Sequence, residues 1–343
     1  MNNSKKLTLI SLLTLFSLLC ITIPLRTFAL FNSFNTETMH FDNSTTFLLS
    51  TLFVVAGVIL FLLYIPLAPK NQKFAPDYFT ISPFIPAGIL SVSLIFMSFK
   101  MLERGIKQNS YATTIVENII YYLPYLIAVF SLLAATFFLL SIMNTKRISN
   151  LTAVFGICAI IFFALYGAYL YFNRSIHPIN SPNKIINQMA YLSAAIFLLF
   201  ETRISLGRDM WSPYVSFGLI SSLLCGYSAF PSMIFYFAGR DIKFVADGIE
   251  ECVVAFALFI FIIVKLLIAM RLPDDTLCQT ADQIKQMAHK RAEELAERRA
   301  AARTHEYNKE EENLNASDSS DENAENSTLT DGQISFELDG SEG

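Results

Sequence analysis

Eight long apolar runs constrain this 343-residue chain more than any other feature of its sequence. A helix must cover about 30 Å of hydrocarbon at about 1.5 Å per residue, so a run of roughly 17 to 25 apolar residues can cross a bilayer. Strands of an outer-membrane barrel would alternate apolar and polar residues over about ten positions, whereas these runs are continuous. The sequence therefore predicts an all-α, polytopic integral membrane helix bundle of about eight transmembrane helices over residues 1–270. The runs extend from Leu7 to Leu25, Phe47 to Leu67, Ile81 to Phe99, Ile119 to Met143, Leu151 to Phe172, Ile185 to Leu206, Pro213 to Phe237 and Ile249 to Met270.

The first run has a second interpretation, as a secretory signal peptide. Lys5 and Lys6 precede the apolar stretch, and "TFA" ending at Ala29 resembles a cleavage site. The stretch is longer than a usual signal core, and Arg26 is an unusual neighbour for such a site. We favour an uncleaved span, and cleavage would leave seven.

The part of the chain after Met270 has a different charge and a different composition. Residues up to Met270 include 17 basic and 11 acidic side chains, whereas the part from Arg271 has 8 basic and 18 acidic ones. Residues 271–308 are rich in Ala, Glu and Arg and predict a charged cytoplasmic helix. Residues 309–343 contain too few apolar side chains for their burial to offset the conformational entropy that is lost on folding, so an acidic disordered tail is predicted there.

One apolar motif stands out in this tail. In "QISFELD", Ile334, Phe336 and Leu338 alternate with polar residues, as in a strand that adds to the sheet edge of a partner. The simpler interpretation is an ordinary solvated chain end. The tail is therefore our candidate contact for a cytoplasmic protein partner.

Basic residues predict the orientation of the bundle. With the N-terminus inside, nine Lys and Arg residues up to Met270 lie on the cytoplasmic side and eight lie in external loops, Arg26 and Arg104 among them, which barely decides the question. The long polar tail has no apolar signal of its own to carry it across a membrane. The sequence thus predicts that both ends are cytoplasmic, in a plasma membrane that the residue usage suggests is bacterial.

The usual catalytic and cofactor motifs are missing from the sequence. The five cysteines form no CxxC pair, the four histidines all lie outside the apolar runs, and neither an HExxH pair nor a Gly-rich phosphate loop occurs. No cofactor, no metal and no nucleic-acid partner is predicted, and the oligomeric state stays open. With hydrophobic residues at 53%, the lipid bilayer is the first expected partner.

The stretch "LLFETRISLGRDMWSPY" supplies the first candidate site. Glu201 and Arg203 follow only about 24 Å of helix, so they are expected at the edge of the hydrocarbon, and Arg208 is placed to fold back toward Glu201. Trp211 reads as an interface anchor, before a span that begins at Ser212 and Pro213. The cluster is either a tight polar hairpin or a contact site for an anionic headgroup, a substrate or a partner protein.

Two further features carry weaker signals. Asp247, Glu250 and Glu251 share one helical face at the outer start of the eighth span, either as an acidic first turn in water or as a cation site. In the seventh span, Gly226 and Pro231 are either the break of a helix, as in some transporter sites, or residues of an ordinary membrane helix, which we favour.

The sequence favours a non-enzymatic scaffold, sensor or assembly component over other functions. This preference rests on the missing catalytic motifs, the few polar residues inside the spans and the distinct tail. A secondary transporter or permease of a small solute or lipid is the alternative, and a lipid-acting membrane enzyme is the third hypothesis.

Overall fold

The computed structural model is all-helical apart from one minimal β-hairpin. It describes residues 3–42, 44–68, 83–107, 115–143, 150–172, 181–205 and 210–271. Within these ranges, eight helices are long and apolar enough to cross a membrane, as predicted. The chain divides into two units, Met1–Cys278 and Gln279–Gly343, and the predicted charged helix beyond Arg271 and the acidic tail lie outside the described residues. The elements are α1 Asn3–Asn32, β1 Phe34–Asn35, β2 His40–Phe41, α2 Thr45–Leu67, α3 Phe84–Lys107, α4 Ile115–Met143, α5 Asn150–Phe172, α6 Pro182–Ser205, α7 Trp211–Phe237, a 3₁₀ turn Ile242–Phe244 and α8 Ile249–Arg271.

The seventh and eighth helices form the centre of the bundle. Of the apolar window of α7, 72% is buried within the protein, and of α8, 67%, against 28% for α1 and for α2. α7 packs against α1, α2, α6 and α8, and α3 packs against α4 and α8. The peripheral helices leave many large apolar side chains on the outer surface, as lipid requires.

Serine hydroxyls join neighbouring helices through backbone carbonyls. Ser98 donates to the carbonyl of Ala128 over 2.8 Å, and Ser131 donates back to that of Leu94 over 2.7 Å, so α3 and α4 are linked in both directions. Between α7 and α2, Ser216 donates to the carbonyl of Phe61 over 2.6 Å. Small hydroxyl residues suit this task, because they let membrane helices approach closely while their polar atoms stay satisfied.

The seventh span is not broken, since α7 is one helix from Trp211 to Phe237, as expected for an ordinary membrane helix that contains Gly and Pro. Pro231 lies inside it, and Gly226 serves close packing: a Cβ at this position would lie 3.1 Å from a Leu19 methyl carbon and 3.3 Å from the ring of Phe259. The glycine therefore lets α1 and α8 approach α7.

The start of α7 also differs from expectation. The helix begins at Trp211 rather than at Pro213, and Met210 occupies the cap position without a side-chain cap bond. The Ser212 hydroxyl instead donates to the carbonyl of Ile65, and Trp211 is buried against neighbouring helices rather than exposed.

Contacts between distant helices define two ends of the bundle. At the end that holds the β-hairpin, called the hairpin end here, α1, α3 and α7 finish while α6 and α8 begin. At the opposite end, Thr8 near the start of α1 bonds to Tyr64 near the end of α2, with 2.7 Å between the hydroxyl oxygens. Glu201 and Lys265 meet at that same opposite end, near the ends of α6 and α8.

Candidate functional site

The three predicted acids do come together at the hairpin end, where they lie in the interior. Asp247, Glu250 and Glu251 have relative exposures of 5%, 3% and 1%, so the expectation of an acidic turn in water is wrong. Their burial follows from packing, because the last turns of α3 and the first turns of α6 cover the start of α8. The sequence gives no sign of this cover.

Arg104, near the end of α3, provides the positive charge for this cluster. Its guanidinium forms ion pairs with the carboxylates of Asp247 and Glu250, and it donates to the Asp247 carbonyl oxygen over 3.0 Å. Ion pairing of this kind is what makes carboxylates tolerable in a bundle interior. Sequence reasoning had assigned Arg104 only to an external loop.

Glu251 contacts both Asp247 and α6. One carboxylate oxygen accepts from the Asp247 amide over 2.6 Å, and the Tyr191 hydroxyl donates to the Glu251 carbonyl over 2.8 Å. The other carboxylate oxygen, Oε1, has no hydrogen bond to any described residue.

Asn187 connects α6 to the neighbouring segments. Its amide nitrogen donates to the carbonyl of Val245 over 3.2 Å, and its oxygen accepts from the hydroxyl of Ser228 over 2.5 Å. Ser228 lies nine residues before the end of α7, which places this contact roughly 14 Å along the helix. The polar network therefore reaches well into the bundle.

Arg26 is the functional candidate that sequence reasoning missed. The prediction placed it in an external loop, yet α1 continues to Asn32 and the Arg26 side chain is fully buried. It donates to the backbone carbonyl of Tyr227, and to Asn183 Oδ1 over 2.9 Å, and its guanidinium carbon lies 4.6 Å from the ring centroid of Tyr227. The available signal was the apolar sequence "FALF" that resumes just after it.

At the opposite end, the structure gives Glu201 a partner that the sequence did not suggest. Its carboxylate lies 2.8 Å from Lys265 Nζ, and each residue is 6% exposed. Arg203 does not pair with Glu201 and donates to the sulfur of Met210 over 3.7 Å. Arg208 lies outside the described residues, as do Ile334, Phe336 and Leu338 of the tail motif.

Metal ligation is not indicated by any cluster in the described ranges, where no group of three or more His, Cys, Asp or Glu residues has a suitable arrangement. The acidic turn that the sequence offered as a cation site is instead paired with Arg104.

Eight long apolar helices with buried ionic contacts at both ends define a multi-pass membrane protein. Comparison with protein-family models, curated proteins and solved structures found no match to this chain.

Proposed function

We propose that this chain is a non-enzymatic scaffold, sensor or assembly component that presents residues 272–343 to a cytoplasmic protein partner. The observation that carries the proposal is the anchoring of α8, the helix that leads into this segment. Arg104 pairs with Glu250 in the first turn of α8, and Glu201 pairs with Lys265 six residues before its end. Ion pairs near both ends of α8 hold this helix in place, so the point at which the tail is attached is fixed as well.

The orientation in this proposal has both chain ends in the cytoplasm of the plasma membrane. Support comes from the basic residues soon after Met270 and from the absence of an apolar signal in the tail. The apolar motif "QISFELD" of the tail is the proposed contact, with Ile334, Phe336 and Leu338 on one face of a strand.

Crosslinking in intact membranes tests the tail contact. Replacing the three apolar residues of the motif by Ser is expected to remove the crosslinked partner while the bundle stays inserted, because three small apolar contacts provide only about micromolar affinity to begin with. The matched control changes the other face, with Ser335→Ala and Glu337→Gln, and is expected to keep the partner. Recovery of the same partners from the triple variant would refute the tail contact.

A secondary transporter or permease is the second candidate function. The observation that favours it is a group of buried polar side chains that includes Asn187, Ser228 and Glu251. Ser228 of α7 donates to Asn187 of α6, and Tyr191 of α6 donates to the Glu251 carbonyl of α8. Ionisable residues inside membrane helices often line solute pathways. Substrate-dependent uptake into proteoliposomes that is lost in Glu251→Gln, and kept in the exposed-site variant Glu103→Gln, would favour transport over the scaffold function.

A further inference from the structure

Arg26 differs from Arg104 and Lys265 in the kind of groups that it contacts. Arg104 pairs with Asp247 and Glu250, and Lys265 pairs with Glu201, but the contacts of Arg26 are all with uncharged groups. A carbonyl oxygen, an amide oxygen and an aromatic face surround its guanidinium. No carboxylate among the described residues is paired with it.

Two hydrogen-bond donors remain unused at this place. Within the described part of the chain, neither Arg26 Nε nor Asn183 Nδ2 has a hydrogen-bond partner, although both atoms are buried. The two donors belong to residues that are joined by a hydrogen bond of 2.9 Å, so both belong to one buried contact between α1 and α6. An anion with two or more oxygen acceptors has enough acceptor atoms for both donors.

The positive charge of Arg26 and the two unused donors would be compensated by the same kind of ligand. A buried cation without a counter-ion is strongly unfavourable, and a buried donor without an acceptor adds to that cost. A negatively charged group with oxygen acceptors removes both penalties at once. We propose that Arg26 and Asn183 form a binding site for an oxyanion, the carboxylate or phosphate group of a small solute or of a lipid.

The depth of the site is compatible with either source. Arg26 lies six residues before the end of α1, or roughly 9 Å along the helix axis, on a helix of 30 residues. Lipid phosphate groups lie near this level if α1 spans the bilayer, and a dissolved anion would have to enter from the hairpin end. This inference goes beyond the proposed scaffold function and does not depend on the tail.

Thermal unfolding of the full-length chain in phosphatidylcholine nanodiscs tests the site. Sodium acetate and sodium phosphate form one arm, and an increasing fraction of phosphatidylglycerol forms the other, with sodium chloride as the control for ionic strength. A site ligand at 100 times its Kd is expected to raise the Tm by about 5 °C, and the Tm should keep rising with the logarithm of the ligand concentration. A rise in the first arm identifies a dissolved anion, and a rise in the second identifies a lipid.

Asn183→Asp gives the sharpest variant, because it places a carboxylate beside Arg26 with little change in shape. We expect a higher Tm without any added oxyanion and the loss of the oxyanion-dependent rise. Arg26→Gln removes the charge, and its Tm should no longer respond to oxyanions. Asn32→Asp makes the same chemical change at an exposed position of α1 and should respond like the native chain.

Three results would overturn the site: no rise in either arm for the native chain, an equal rise with chloride, or an unchanged response in Asn183→Asp. Should Arg26→Gln fail to fold, the Asn183→Asp result decides alone. The crosslinking of the tail is a separate measurement, so failure of the scaffold proposal would leave this result intact.

Discussion

Arg26 and Lys265 are both buried cations, and their surroundings predict different responses to mutation. Lys265 has a carboxylate 2.8 Å away, whereas Arg26 has only uncharged contacts within the described residues. Removing one partner of a buried ion pair leaves a charge without compensation, which is more costly than losing a pair at the surface. Mutation of Lys265 therefore breaks an ion pair, whereas mutation of Arg26 breaks only contacts with uncharged groups.

For the pair at the opposite end, Glu201→Gln and Lys265→Met should each lower the stability of the folded bundle by about 3 kcal/mol, since each leaves its former partner charged and buried. The double variant should lose less than the sum, because the pair is lost only once. Thermal unfolding in detergent, followed by size-exclusion chromatography, measures the folded fraction.

Glu103→Gln is the matched control for this cycle. Glu103 bridges Lys100 and Lys107 at the exposed end of α3, so its loss should leave the folded fraction near that of the native chain. Additive losses in the double variant would show that Glu201 and Lys265 are not energetically coupled.

At the scale of the helices, the sequence was sufficient to predict the eight spans but not their neighbours. Length and hydropathy are properties of a single segment, so α2 and α8 were located nearly to their ends. Which face of a helix packs inward is a different question. Lipid chains are as apolar as Leu, and the pattern of a membrane helix therefore barely separates its packed face from its lipid face.

The candidate site was harder to predict for the same reason. Arg26 contacts Asn183, 157 residues later in the chain, and Tyr227, 201 residues later. No local pattern records such a pairing. The sequence groups Asp247, Glu250 and Glu251 because their spacing is local, whereas their burial depends on α3 and α6 and leaves no local pattern.

At the scale of the whole molecule, the contacts fix which helix ends share a side. The start of α1 meets the end of α2, which in turn meets the start of α7 through Ser212 and Ile65. The ends of α6 and α8 lie at that same end through Glu201 and Lys265. If the bundle spans a bilayer, the beginning of α1 and the end of α8 must therefore lie on one side.

Reporter fusions identify that side. Fusions after Lys146 and after Arg271 should report as cytoplasmic and a fusion after Asn180 as external, because basic residues near the membrane are retained in the cytoplasm. An external signal after Arg271 would reverse the orientation and remove the cytoplasmic tail from the proposed function.

An N-terminal epitope should remain on the mature protein, since Arg26 joins α1 to α6 and α7 and the uncleaved span is the prediction. Loss of the epitope with an unchanged reporter pattern would instead show that α1 is cleaved and that seven spans remain.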